Sequence, residues 1–152
     1  MFLQLLQRLS LMMSSLRGDS PELACRRFQM HLQQLQTDFQ ERASISGKPR
    51  GLKWAKCDWL NQQQLVRDRS SGMLTMLAGI NIHFEAIPGG EMEDVEAVST
   101  VRDACAVFHY HQGRWGTGGR ALFNMHPEAA AVRLADSWER VILAHERPGG
   151  DH

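Results

Sequence analysis

Between Leu74 and Ala86 the chain reads Leu-Thr-Met-Leu-Ala-Gly-Ile-Asn-Ile-His-Phe-Glu-Ala, with Leu74, Met76, Ala78, Ile80, Ile82, Phe84 and Ala86 recurring every second residue. Thr75, Gly79, Asn81, His83 and Glu85 fill the alternate places, and only Leu77 blurs the polar side. Period two sustained over that length is the pattern of a long β-strand with one buried face. A strand of this kind cannot bury its apolar side alone, so the fold must supply further strands beside it and a layer above it. Ser70-Ser71-Gly72 before it suits a hairpin loop with glycine in the left-handed position, and Pro88-Gly89-Gly90 after it ends the strand.

The flanking segments fill in that frame. Ser20-Pro21-Glu22 is a helix start, with an N-cap serine, proline at the first helical position and an acid near the positive end of the helix dipole. Cys25, Phe28, Leu32, Leu35 and Phe39 then step by three and four along one face, and Ser46-Gly47-Lys48-Pro49 breaks the run. From Leu52 the pattern turns aromatic and extended. Trp54 and Trp59 fall out of phase on a regular strand, so they share a face only if a bulge lies between them. Val98 to Tyr110 reads as a strand, Gln112-Gly113 as a turn, and Arg114 to Phe123 as a return strand. Met125-His126-Pro127-Glu128 opens a closing helix whose apolar stripe is Ala131, Leu134, Trp138, Val141 and Ile142.

This order predicts an α+β fold: an antiparallel sheet of about five or six strands, meander-like, covered on one face by the N-terminal helices and a C-terminal helix. The expected divisions are an amphipathic helix over residues 1–18, a single α+β domain over 19–147, and a frayed tail over 148–152. The first segment contains Arg8 and Arg17 and no acid. Packing against the domain or a twin subunit is the plainest use of its apolar stripe; targeting or membrane contact are the alternatives.

Composition narrows the function classes. Seventeen basic side chains balance seventeen acidic ones, which argues against a nucleic-acid binder, and no apolar run reaches the ~18 residues of a membrane-spanning helix. The balance is a cancellation, however. Residues 1–56 hold nine basic and four acidic side chains, and residues 57–152 hold eight and thirteen, so the two parts attract each other within or between chains. Cys25, Cys57 and Cys105 are odd in number with no CxxC pair, which suits a reducing, cytoplasmic setting. Arginine outnumbers lysine fourteen to three, favouring planar, two-pronged contacts with anions wherever function uses the positive charge.

Two constellations carry possible chemistry. His83 and Glu85, and His109 and His111, are each spaced i, i+2, so each pair projects from one side of its strand. Were the strands neighbours in the right register, these four side chains would make a ligand-binding or zinc site; otherwise they are ordinary hydrogen-bonded surface residues. The glycine-dense stretch from Gly113 to Arg120 brings Arg114 and Arg120 to a backbone able to approach a phosphate, although a turn with a glycine-bulged strand explains it with less. Glu91, Glu93, Asp94 and Glu96 lack calcium-loop spacing and read as a solvated acidic edge. No serine-hydrolase elbow occurs. The expectation is therefore a non-enzymatic interaction module, a homodimer with no cofactor, open to a further protein partner but not to nucleic acid or stable membrane insertion. A metal-dependent enzyme using the His/Glu cluster, or a carrier with a cone-shaped cavity, are the alternatives.

Overall fold

Ser20 does what a helix N-cap does: its hydroxyl accepts a hydrogen bond from the Leu23 N–H at 3.2 Å, with Pro21 in the first turn. The structure is a computed structural model that describes residues 2–5, 18–46, 50–95 and 101–146. Helix α1 spans Pro21–Met30, and after a break at His31 helix α2 spans Leu32–Ser46. The strands are β1 (Leu52–Asp68), β2 (Leu74–Ala86), β3 (Arg102–His111), β4 (Arg114–Gly116), β5 (Ala121–Phe123) and β6 (Trp138–Arg140), with a short helix α3 (Pro127–Arg133) between the last two. They form one antiparallel six-stranded sheet in the order β4-β3-β2-β1-β6, and β5 also pairs with β3. The α+β class and the antiparallel sheet are as the sequence predicts.

The hairpins have the turn chemistry their residues demand. Gly72 adopts φ 74° between β1 and β2, and Gln112 and Gly113 both lie at positive φ between β3 and β4. Asp68 Oδ1 accepts from the backbone N–H groups of Ser70 and Ser71 and from the Ser70 hydroxyl, which holds its carboxyl down to about 2.

β1 is longer than the strand it pairs with, and the surplus is absorbed in two irregularities. Trp54 opposes Phe84 and Lys56 opposes His83, so Ala55 is extra; Trp59 opposes Ile80 and Gln63 opposes Ala78, so Leu60–Gln62 bow out. The first bulge brings Trp54, Cys57 and Trp59 onto the same face, against the core that α1 and α2 cover. Gly79 sits opposite the second: a Cβ there would meet Gln62 and the Pro127 ring at 3.1–3.2 Å. Its lack of a side chain lets the bowed segment and α3 approach β2.

The two faces are covered differently. On one, Ala24, Phe28, Leu35, Phe39 and Ala43 from the helices pack on Met76, Ala78, Ile80, Ile82, Ala104, Ala106 and Phe108. Phe39 is wholly buried among Trp54, Trp59 and Phe108. On the other face, Leu77, Cys105 and Val107 are covered by Ala130 and Ala131 of α3 and by Trp138. β2 is therefore buried on both sides from Leu74 to Ile80, and its alternation with exposed positions is confined to the C-terminal half.

The closing helix differs from expectation on two counts. It ends at Arg133, because Trp138–Arg140 leaves as a strand and pairs with Val66–Asp68. It also lies on the face opposite α1 and α2, where Leu77, Cys105 and Val107 need cover. The expected Arg114–Phe123 strand is likewise divided into β4 and β5 around Gly118-Gly119, both on the same edge of β3. Residues 2–5 are helical, with Phe2, Leu3 and Leu5 exposed. Residues 1 and 6–17 of the expected 1–18 helix and the tail at 148–152 lie outside the described residues.

Candidate functional site

The second face of the sheet divides the predicted site residues between its two ends. His109 opposes Thr75 in the β2–β3 ladder, whereas His83 lies eight positions further along β2. At about 3.3 Å per residue that separation is roughly 26 Å, so the histidines do not converge and the expected four-residue ligand set is not assembled. Among the described residues no group of three His, Cys, Asp or Glu side chains gathers at metal-binding distance.

At one end, His83 Nε2 lies 3.0 Å from Asp58 Oδ2, and Lys56 Nζ lies 3.2 Å from the other carboxylate oxygen. Those two partners hold the Asp58 carboxyl below its ordinary range, the His83 hydrogen bond contributing most. Glu85 is exposed and pairs with Lys53 at 3.6 Å. At the other end, His109 Nδ1 lies 3.3 Å from the hydroxyl of Thr75, the one buried polar side chain among the described residues. Burial lowers the His109 pKa, and Arg120 adds to the effect, so the ring is neutral near neutral pH. Arg120 itself stands 5.9 Å from the Trp138 ring centre, while His111 and Arg114 are exposed partners across the hairpin. Arg114 and Arg120 are both exposed, one near each end of the glycine-dense stretch.

Two further features carry more potential for recognition. The first is the outer edge of β1. Gly51 O accepts from Ile87 N and Leu65 O accepts from Val141 N, which sets the alternation of backbone groups along the strand. Lys53, Lys56 and Asp58 turn their N–H and C=O groups inward to β2. Leu52, Trp54, Cys57 and Trp59 turn theirs outward, where only Val66–Asp68 has a strand partner among the described residues. A groove of about 280 Å³ runs along this edge between Trp54–Cys57 and residues Gln40, Glu41 and Ser44 of α2. Lys53, Lys56 and the two bulges shield the edge from indiscriminate pairing and leave one regular stretch, Lys56–Trp59.

The second is a polar knot at the start of α1. Arg27 Nη1 donates to Asp19 Oδ2 at 2.9 Å, to the Tyr110 hydroxyl at 2.8 Å and to Gly113 O at 3.1 Å, and Tyr110 donates to Asp19. Gly113 is glycine for a reason: a Cβ there would sit 2.9 Å from Arg27 Nη1. Sequence reasoning missed this group because its members are scattered from Asp19 to Gly113; the arginine bias was the one signal pointing toward it. Set against known families, curated proteins and solved structures, the chain matches none.

Proposed function

We propose that the protein is a non-enzymatic interaction module that self-associates through the outer edge of β1. The observation that carries this reading is the outward-facing backbone of Cys57 and Trp59 within the one regular stretch of that edge. Adding a strand to such an edge satisfies main-chain groups and extends the sheet. A second copy is the occupant the charges favour. Antiparallel pairing about a two-fold axis at Cys57 sets Lys56 opposite Asp58 of the partner subunit, and Asp58 opposite Lys56 of the partner subunit. These are non-hydrogen-bonded positions, where facing side chains come closest and opposite charges contribute about 0.2–1 kcal/mol per pair. The three free thiols accord with a reducing compartment, the cytoplasm in this reading.

Sedimentation velocity over a concentration series tests it. The wild type should dimerise, Lys56→Asp should shift the equilibrium toward monomer, and Lys56→Asp combined with Asp58→Lys should restore the dimer. A monomer throughout, or a dimer indifferent to both changes, overturns the reading.

A further inference from the structure

A groove of about 630 Å³ lies between the loop before α1, the β1–β2 hairpin and the β3–β4 turn, apart from the β1 edge considered above. Two guanidinium groups line it, those of Arg27 and Arg67. Each is tethered by Nη1 to a turn carbonyl, Arg27 to Gly113 O at 3.1 Å and Arg67 to Gly72 O at 3.0 Å. Neither Nε nor Nη2 of either side chain has a hydrogen-bond partner among the described residues. Each arginine therefore keeps the two parallel N–H groups that grip carboxylate or phosphate oxygens, with part of the ordering cost already met by its tether.

The charge is not balanced from within. Asp19 is the single acid lining the groove, and it is engaged by Arg27 and Tyr110. Arg67 has no carboxylate partner among the described residues, so the lining carries a net charge of +1. Met73 is the half-buried apolar side chain of the lining, beside the small exposed remainder of Leu74 and Tyr110, and supplies apolar wall beside the charge. A bare inorganic ion would leave that wall in contact with water.

We infer that this groove binds a small organic anion, its phosphate or carboxylate head gripped by Arg67 and Arg27 and its apolar body laid against Met73. The site is unrelated to the glycine-dense stretch at Gly113–Arg120 except through Gly113 itself. Arg67 is the determinant to change, because Arg27 also holds the fold together.

Calorimetric titration with phenyl phosphate, benzoate, inorganic phosphate and phenol tests the assignment on the full chain. Phenyl phosphate or benzoate should bind one to one, more tightly than inorganic phosphate, with phenol silent. Arg67→Gln should weaken that binding about tenfold at unchanged melting temperature, and Arg67→Lys should restore it only in part, since lysine lacks the planar fork. Should Arg67→Gln fold poorly, amide spectra of the wild type replace it: shifts on adding phenyl phosphate should centre on Gly72, Met73 and Gly113. No saturable binding by either organic anion, binding untouched by Arg67→Gln, or shifts centred elsewhere each overturn the inference. Preference between the phosphate and carboxylate probes identifies the head group.

Discussion

Phe39 meets Trp59 edge to face, with ring centres 5.5 Å apart and planes inclined at 80°, and so fastens the middle of α2 to β1 just before the bowed segment. The same ring touches Trp54 and Phe108 at 6.1 and 5.9 Å, joining both irregular parts of β1 to the centre of the sheet. Edge-to-face contacts of this kind add about 0.5–1.5 kcal/mol to the burial itself. Phe39→Ala should therefore cost about 3–5 kcal/mol in urea unfolding, at the upper end for a core substitution because three rings lose a common neighbour. A cost below about 1.5 kcal/mol, the range of a conservative core swap, would show that the aromatic cluster collapses around the gap.

Much of this arrangement was legible beforehand, and the parts that were not share a physical cause. Ser20, Gly72 and the alternation of Leu74–Ala86 act locally, through a cap, a left-handed turn and a two-residue period, so their consequences can be read in place. Register is not local. Whether Trp54 and Trp59 share a face depends on Ala55 bulging, and whether His83 meets His109 depends on where β3 stops against β2. His83 and Glu85 found Asp58 and Lys53 on β1, partners that no pattern within β2 announces. Trp138 shows the same limit differently: its spacing from Leu134 fits a helix, yet pairing with Asp68 and packing on Val66 win.

Tyr110 and Asp19 tie the chain before α1 to the β3–β4 hairpin, and the Tyr110 hydroxyl both donates to Asp19 and accepts from Arg27. Burial and the neighbouring carboxylate push its pKa up, so the hydroxyl stays protonated and able to donate. Tyr110→Phe should cost about 1–3 kcal/mol in chemical denaturation. Combined with Asp19→Ala, the loss should fall short of the sum of the two, because both remove the same hydrogen bond.

His109 gives the fold a pH dependence of definite sign. Burial lowers its pKa below the ordinary 6.5, so on acidification the unfolded chain takes up a proton that the folded chain resists. Stability should fall as pH drops below 6.5 and recover as it rises again. His109→Gln should flatten this part of the melting-temperature profile; an unchanged slope would assign it to other histidines.

Burial raises the Cys57 and Cys105 thiols to about 12, with Asp58 and Asp103 adding to the effect. Against an ordinary value of 9.0, such a shift cuts the reactive thiolate about a thousandfold. Alkylation by iodoacetamide at pH 8 should leave both cysteines unmodified in the native protein and modify them rapidly in urea, as peptide mass mapping would show.

The outward backbone of β1 carries the central claim, and amide hydrogen exchange at Cys57 and Trp59 reads it directly. Their N–H groups have no strand partner among the described residues and exchange freely unless a second strand covers them. At concentrations where the protein sediments as a dimer, both amides should be protected, and dilution to monomer should release them while Ile80 and Val107 stay protected. Rapid exchange at Cys57 and Trp59 in the dimer would contradict the account and place the interface elsewhere.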